Sequence, residues 1–356
     1  MIAHRLTRVI VDRLQVPIVL APMAGGPTTP QLTAAVSEAG GLGFLAAGYL
    51  TASALQQQIR QARELTSAAI GVNLFMPGPA GPAELADSYA AELQAEAEHA
   101  GVALGTARFD DDDWDAKLAV LAADPVAVTS FTFGCPEPAV LAAVRASGSE
   151  AWVTVTSPAE AEQAADAGAD VLIVQGTEAG GHRGSFADDP ADDGGFGLLA
   201  LLQLVRGRKR LVAAGGIATG GAIAAVLTAG ASAAQLGTAF LRCPEAGTSA
   251  VQRAAVAAAT PTATTRAFTG RLARGIRNRF IDEHSLHAPS AYPQVHYLTA
   301  PLRAAGRSAG NPDLVNLWAG QAHQLSRELP AGQLVAVLAT EAREALTAAA
   351  SRLAQA

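Results

Sequence analysis

The chain has 356 residues, of which 50% are hydrophobic and 16% are charged, a composition that is typical of a globular protein and excludes a disordered one. The 25 basic and 32 acidic residues give a net charge of −7, which argues against nucleic acid and anionic membranes as partners. The two cysteines, Cys135 and Cys243, lack the spacing of a disulfide framework or a metal site, so we expect a reducing compartment.

The start of the chain carries charged residues among its apolar ones, including Arg5, Arg8 and Asp12, and these interrupt any signal-peptide core. No later run of about 18 uncharged apolar residues has the pattern of a membrane-spanning helix. We therefore expect a soluble, cytoplasmic protein.

Short apolar runs rich in β-branched residues alternate with alanine-rich helical patterns along most of the chain. Strands are predicted at Ile18–Leu20, Gly43–Ala46, Ile70–Phe75, Val126–Phe131, Trp152–Val155, Val171–Gln175, Leu211–Ala214 and Ala233–Leu236. Helices between them are predicted at Pro30–Ala39, Ala52–Leu65, Pro138–Ser147, Pro158–Ala167 and Thr219–Ala229. Proline at helix starts and glycine after helix ends support these boundaries.

Eight strand-then-helix units in about 240 residues predict an α/β protein with a (β/α)₈ TIM barrel. An open Rossmann-type sheet is the alternative. Its G-x-G-x-x-G fingerprint is missing, because the first strand runs into Ala21-Pro22-Met23-Ala24-Gly25-Gly26.

Two segments do not fit the repeat, and we expect them to form a smaller capping, substrate-binding region made of residues 77–118 and 244–300. The barrel would then comprise residues 1–76 and 119–243, with residues 301–356 packing on it as helices. Further helices are predicted near Glu84–Ala100 and at Leu334–Leu353. The acidic run Asp110–Asp115 is interpreted as a solvated loop, since it lacks the spaced glycine and glutamate of a calcium loop.

Glycine-rich turns follow the seventh and eighth predicted strands, at Ala213–Ile217 and Gln235–Phe240. TIM barrels commonly bind phosphate at this place, where exposed backbone N–H groups and a helix N-terminus attract an anion. Each turn alone is as well explained by a plain tight turn. Together they favour one phosphate monoester, and FMN is the usual cofactor that carries it.

Three other strand ends are candidates for contact with a flavin ring. Met23 follows the first strand, and its side chain can pack on an apolar surface. Asn73 and Gln175 place a carboxamide, which is both donor and acceptor, at the ends of otherwise apolar strands. A structural loop cap is the alternative for either amide.

The segment Gln175–Gly184 contains four glycines and His182 directly after a buried strand. An imidazole exchanges protons near neutral pH, and flanking glycines leave it uncrowded, so His182 is the predicted catalytic residue. His4, His99 and His323 are interpreted as surface residues, whereas His284, His287 and His296 are candidates for the substrate mouth. Cys135 is interpreted as a packing cysteine, and no metal site is predicted.

These motifs resemble the nitronate monooxygenase family, formerly called 2-nitropropane dioxygenase, and its bacterial class I more than its fungal class. The resemblance is carried in order by Ala21–Gly26, Ser130–Gly134, Gln175–His182, Ala214–Ile217 and the C-terminal pattern from Tyr292 to Arg303.

The resemblance implies an FMN-dependent enzyme that oxidises alkyl nitronates, such as propionate 3-nitronate, with dioxygen to a carbonyl compound and nitrite or related nitrogen oxides. It implies an active-site role for His182. The predicted cofactor-binding residues are Met23, Asn73, Gln175, Gly180, Gly181, Gly215, Gly216, Gln235, Leu236, Gly237 and Thr238. The alternative is an FMN-dependent enoyl-acyl-carrier-protein reductase using NAD(P)H. A homodimer is a further expectation.

Overall fold

A computed structural model of the chain describes residues 9–79, 81–189 and 195–355. Its strands are β1 (Ile18–Leu20), β2 (Gly43–Ala46), β3 (Ile70–Phe75), β4 (Val128–Thr132), β5 (Glu150–Val155), β6 (Val171–Gln175), β7 (Gly181–His182), β8 (Arg210–Ala214), β9 (Ala233–Leu236), β10 (Thr262–Thr265) and β11 (Ala273–Ile276). Eight of them form one parallel sheet in the order β1, β9, β8, β6, β5, β4, β3, β2. A parallel bridge between Val19 and Leu42 joins its two edges. The predicted TIM barrel is confirmed.

The helices are α1 (Pro30–Glu38), α2 (Ala52–Leu65), α3 (Ala83–Glu92), α4 (Gln94–His99), α5 (Trp114–Ala123), α6 (Pro138–Ala146), α7 (Pro158–Ala167), α8 (Leu198–Val205), α9 (Gly220–Thr228), α10 (Ala250–Ala257), α11 (Arg279–His284), α12 (Gln294–Ala309) and α13 (Ala331–Ala354). The segment predicted as one helix over Glu84–Ala100 is therefore two helices that meet at Leu93. The C-terminal α13 packs outside the barrel on α1 and α9, as expected for this segment.

Successive side chains of a strand point to opposite faces of the sheet, and this decides which of them lie inside the barrel. Phe44 and Trp152 fill its lower interior with Val19, and none of the three is exposed to solvent. The neighbours of Val19 on β1, Ile18 and Leu20, point the other way and belong to the larger core between strands and helices. Near the carboxyl ends of the strands, the inward positions become polar, and this is where the cavity described below begins.

A second, antiparallel sheet lies over the mouth of the barrel, in the order β10, β11, β7. Its shortest strand, β7, is Gly181–His182, and His182 pairs with Ala273 of β11. The sequence did not predict these strands, because two- and four-residue strands with little apolar alternation give a weak signal.

A separate hydrophobic cluster supports this antiparallel sheet. It joins α3 and α4 to α11 and α12, and its large members include Tyr89, Phe268, Phe280 and Leu298. Both segments that broke the barrel repeat contribute to it. The division into a barrel and a capping region stays a prediction, and its boundary at residue 300 falls inside α12.

Candidate functional site

A cavity of about 450 Å³ lies at the carboxyl ends of the barrel strands. We call the strand-end side the barrel wall; it includes Asn73, Gln175, Gln235, Gly215–Gly216 and Gly237–Thr238. We call the opposite side the cap wall; it includes His182, Thr269, His296, Arg303, Arg307 and Trp318. In the described part of the chain, no Asp or Glu lines the cavity, and its charged lining residues are Arg303 and Arg307.

The predicted residues lie on this cavity with one exception. Met23, Asn73, Gln175, Gly180, Gly181, Gly215, Gly216, Gln235, Gly237 and Thr238 all line it. Leu236 does not; it is 1% exposed and packs in the core between strands and helices. Adjacent strand residues point to opposite faces, so β9 directs Gln235 into the cavity and Leu236 away from it.

Asn73 is anchored by its amide nitrogen. Its Nδ2 donates to the Ser130 Oγ at 2.9 Å and to the Thr132 Oγ1 at 3.0 Å, both on β4. Among the described residues, its Oδ1 has no hydrogen-bond donor, although the residue is 2% exposed. Neighbouring strands therefore fix this amide and leave an acceptor at the cavity.

Gln175 uses both ends of its amide within its own loop. Its Nε2 donates to the His182 carbonyl at 3.1 Å, and its Oε1 accepts from the Gly184 N–H at 2.8 Å. These are the contacts of the structural loop cap that was the alternative interpretation. Gln175 thus holds the backbone of the predicted catalytic histidine, and direct contact with a cofactor stays a prediction for it.

The glycine turns sit side by side, since Ala214 of β8 pairs with Gln235 of β9. Gly215 and Gly216 have φ values of 117° and 66°, which favour glycine. A Cβ on Gly216 would also lie 2.9 Å from the Glu178 Cβ. The turn leads into α9, whose N-cap Thr219 accepts from the Ala222 N–H. Backbone N–H groups and a helix start are therefore combined at this end of the cavity.

Glu178, within the glycine-rich segment, has a structural contact. Its carboxylate oxygens each accept from the Leu198 N–H at 3.0 Å, at the start of α8. A carboxylate at a helix N-terminus stabilises the helix. The sequence did not indicate this contact, because the two residues lie 20 positions apart in the chain.

His182 is held on the cap wall by hydrogen bonds and ring contacts. Its Nε2 lies 2.9 Å from the Thr269 Oγ1. The rings of Phe133, Tyr292 and Trp318 surround it at centroid distances of 5.6 to 5.7 Å. Phe133 adopts a φ of 78°, which is uncommon for a non-glycine residue.

Burial first, and then the nearby charges of Arg271 and Arg303, together lower the pKa of His182 to about 3. The sequence predicts an imidazole that titrates near neutral pH. The fold instead keeps it neutral at pH 7, so it offers a lone pair and one N–H to a ligand.

His296 is the histidine of the capping segment that lines the cavity. It stacks on Tyr49 with ring centroids 4.0 Å apart, and the Tyr49 hydroxyl meets the Tyr292 hydroxyl at 3.2 Å. Burial lowers the pKa of His296 and raises the pKa of Tyr49 to about 12. These groups are neutral at physiological pH. The sequence did not identify Tyr49, which comes from the turn after β2.

Arg303 is 6% exposed and has no carboxylate partner among the described residues. Its Nε donates to the Thr299 Oγ1 at 3.1 Å, and its Nη2 donates to the His296 carbonyl at 2.5 Å. Burial lowers its pKa to about 10, so it remains cationic at pH 7. A cationic guanidinium without a carboxylate next to the cavity attracts an anionic ligand.

One expectation about another residue is wrong, and a second holds only in part. His323 is not on the surface; it is 1% exposed, and its ring nitrogens lie within 3.0 Å of the Val256 and Thr260 carbonyls. The acidic run is not wholly solvated, because Asp112 forms an ion pair at 2.7 Å with Lys117, which is itself 1% exposed. Asp112 also accepts from the Tyr49 N–H at 2.7 Å and so supports that turn.

Cys135 lies outside the cavity lining, and burial raises the pKa of its thiol to about 11. A thiol that stays protonated at pH 7 is a weak nucleophile, which agrees with a packing role.

Away from the cavity, the fold brings Glu96, Glu283 and His284 together, but Arg279 donates to both carboxylates. An arginine in this position competes with a metal ion for the same oxygens.

Comparison with known proteins places this site in a family. The family model described as nitronate monooxygenase matches residues 8–341. The chain belongs to the nitronate monooxygenase family. It is similar to the nitronate monooxygenase of Pseudomonas aeruginosa, with 41% identity over 95% of this chain and 99% of that protein. The Paraburkholderia phytofirmans nitronate monooxygenase is 40% identical, over 93% of each chain.

The chain is also similar to solved structures. Nitroalkane oxidase from Streptomyces ansochromogenes is 53% identical with a TM-score of 0.93, covering 95% of this chain and 99% of that one. FabK from Thermotoga maritima is 25% identical with a TM-score of 0.76, covering 96% and 97%. The predicted family and enzyme class are confirmed, and this member of the nitronate monooxygenase family is a flavin-dependent oxidoreductase. In the described ranges, no helix is both long and apolar enough to cross a membrane.

Proposed function

We propose that this protein uses FMN to oxidise alkyl nitronates, such as propionate 3-nitronate, with dioxygen, giving a carbonyl compound and nitrite or related nitrogen oxides. The observation that carries the proposal is one cavity whose barrel wall offers glycine turns and amides and whose cap wall offers His182 and two arginines. Family membership supports nitronate oxidation by a flavin.

The donors and acceptors of the barrel wall fit a flavin. Gln235 Oε1 is buried without a hydrogen-bond partner in the described part of the chain, and leaving such a group unpaired costs about 1–3 kcal/mol. The Asn73 Oδ1 is a second available acceptor. In this proposal these amides meet the polar edge of the isoalloxazine, and the N–H groups at Gly215–Gly216 and Gly237–Thr238 hold the single phosphate of FMN. When bound, a flavin would supply the redox chemistry by which electrons pass from the nitronate to dioxygen.

The cap wall supplies an environment for an anionic substrate. Arg303 and Arg307 are the charged groups of the cavity lining, and no described carboxylate there competes for them. Their attraction for a nitronate is strengthened by the low dielectric of a partly closed cavity. The rings of Phe75, Phe133 and Trp318 line the same cavity and give it apolar surface. The chain's own task is to bind and orient the anion against the cofactor.

A second activity, oxidation of neutral nitroalkanes, is favoured by the neutral imidazole of His182. Its low pKa keeps a lone pair available at neutral pH. Removing a proton from the carbon next to a nitro group gives the nitronate and an imidazolium. The two opposite charges stabilise each other, which offsets the weak basicity of the buried ring. The similarity to the Streptomyces ansochromogenes nitroalkane oxidase supports this activity.

An anaerobic titration tests the proposal. We expect the purified holoenzyme to be yellow, its released cofactor to have the mass of FMN, and propionate 3-nitronate to bleach the flavin in the absence of oxygen. Admission of oxygen should restore the colour with release of nitrite. Bleaching by NADPH while nitronate is inert would favour the reductase alternative and contradict the proposal. Release of FAD would contradict the FMN assignment alone.

A further inference from the structure

Thr269, which lies outside the sequence motifs, faces the imidazole of His182. We propose that Thr269 is a positioning residue that keeps His182 as the Nε2–H tautomer, so that Nδ1 is the nitrogen that accepts a proton from substrate. The inference rests on the nitroalkane activity proposed above and names the atom that would perform it.

The Thr269 hydroxyl lies between two partners. Its Oγ1 is 2.9 Å from the His182 Nε2 and 3.3 Å from the Arg271 carbonyl oxygen. Thr269 is 1% exposed, and its own N–H donates to the Arg266 carbonyl. The hydroxyl is therefore fixed by its turn and shielded from water, so its single proton goes to one of these two partners.

The Arg271 carbonyl decides which partner receives the proton. A carbonyl can only accept, and in the described ranges the Thr269 hydroxyl is the one donor recorded for it. Arg271 is 6% exposed, so an unpaired carbonyl there would cost about 1–3 kcal/mol. When the hydroxyl donates to this carbonyl, its lone pair accepts from a protonated Nε2. If the hydroxyl instead donated to an unprotonated Nε2, the Arg271 carbonyl would be left without a donor.

The other ring nitrogen is then the basic one. Among the described residues, Nδ1 of His182 has no hydrogen-bond partner, and the residue lines the cavity. The backbone of His182 is held by Gln175 and by β11, and three aromatic rings restrain the imidazole. With its tautomer set by Thr269, the ring presents a lone pair at a fixed place.

The proton transfer balances without another reactant. The C–H bond next to the nitro group breaks, the proton moves to Nδ1, and the electron pair of that bond remains on the substrate as the nitronate. His182 becomes an imidazolium that keeps its Nε2–H bond to Thr269. A substrate supplied already as the nitronate does not need this step.

The tautomer can be read directly from long-range ¹H–¹⁵N correlation spectra of the resting holoenzyme, with the His182→Gln spectrum giving the assignment. We expect Nε2 to be protonated and Nδ1 unprotonated in the wild-type protein. A protonated Nδ1 with an unprotonated Nε2 would overturn the inference. This measurement uses no substrate, so it stands even if nitronates prove inert and the proposed function fails.

Kinetics of three variants give the second test. For Thr269→Val, which keeps the shape and loses the hydroxyl, we expect the kcat for a neutral nitroalkane to fall about tenfold or more. The kcat for the matching nitronate should change by less than about threefold, and Thr269→Ser should restore the nitroalkane rate.

Thr264→Val, on the exposed part of β10, is the matched control and should behave as wild type. Equal losses on both substrates, or a wild-type nitroalkane rate in Thr269→Val, would contradict the role assigned to Thr269. If Thr269→Val does not fold, the wild-type tautomer and the Thr269→Ser spectrum still decide the question.

Discussion

The barrel wall and the cap wall of the cavity are built from different chemical groups. The barrel wall consists of strand ends, with the Asn73 amide fixed by the neighbouring strand β4 and glycines at φ values of 117° and 66°. The cap wall consists of imidazoles, aromatic rings and arginines from the short strand β7, from turns and from helix α12, which are far apart in the chain.

This difference suggests that the two walls have different functions. Backbone groups at the ends of buried strands are rigid and suit a ligand that is always the same. Side chains carried by short strands and loops vary more easily and suit the choice of substrate. We therefore assign cofactor retention to the barrel wall and substrate chemistry to the cap wall. The following variants test this assignment, from the largest expected effect to the smallest.

The largest effect is expected for His182→Ala on the cap wall. Loss of the general base should lower the kcat for neutral nitroalkanes about 100-fold or more, since positioned bases contribute about 10²–10⁴. The flavin content should remain that of the wild type. Steady-state kinetics and the flavin absorbance of the purified protein measure the two effects, and His287→Ala, on an exposed residue, is the control. Full activity in His182→Ala would remove this residue from the reaction.

Gly216→Ala on the barrel wall should weaken cofactor binding, the property that His182→Ala leaves unchanged. The new Cβ would lie 2.9 Å from the Glu178 Cβ and adds strain at a φ of 66°. We expect FMN affinity to fall about tenfold or more, measured by titrating the apoprotein with FMN. Gly207→Ala is a matched control, with a φ of 85° and open space around the new Cβ. It should show the backbone strain as a loss of stability and bind FMN normally. Normal FMN binding by Gly216→Ala would count against a phosphate site at this turn.

A smaller effect is expected at the edge of the cap wall. Arg307 is exposed, so Arg307→Ala should fold. We expect the KM for propionate 3-nitronate to rise about two- to fivefold with little change in kcat, because an exposed charge contributes up to about 1 kcal/mol. A nitronate without a carboxylate should be affected less. Arg343→Ala, on the outer helix α13, is the control, and an equal effect of the two variants would exclude a specific role for Arg307.

The smallest expected effect concerns pH: His182 should add no pH dependence to kcat/KM between pH 5 and 8. Because the pKa of His182 is lowered to about 3, the imidazole is already neutral throughout the range from pH 5 to 8. The kcat/KM profile, corrected for ionisation of the substrate, should show no imidazole titration in that range. A limb near pH 6.5 that disappears in His182→Ala would contradict a neutral, buried imidazole.

The same shift has a consequence for stability. The pKa of His182 in the folded protein lies below its ordinary value of about 6.5, so the unfolded chain binds more protons between these two values. The contribution of His182 to stability is therefore present above about pH 6.5 and is lost as the pH falls toward 3. His182→Gln should lose less stability than the wild type over this interval, as measured by denaturant unfolding.

Most barrel strands were predictable because their signal is local. Buried parallel strands are short apolar runs, and the helices between them begin with capping residues such as Thr29 and Ser157, whose side chains accept the expected backbone bonds. The barrel wall was predictable for the same reason, since in this fold a strand end is a position in the site. Leu236 shows the limit of that reasoning: it follows Gln235 in the same motif, but strand alternation turns it into the core.

The cap wall shows what local patterns do not contain. Tyr49, Thr269 and Arg303 come from three distant segments, and tertiary packing brings them to the same cavity as His182. The sequence alone determined the barrel, the family and the ends of strands that face the cavity, because periodicity and turn chemistry are written in neighbouring residues. The tertiary structure decided the protonation of His182, the partners of its nitrogens and the charge of the cavity. These depend on burial and on groups that meet only through folding, and no stretch of neighbouring residues encodes them.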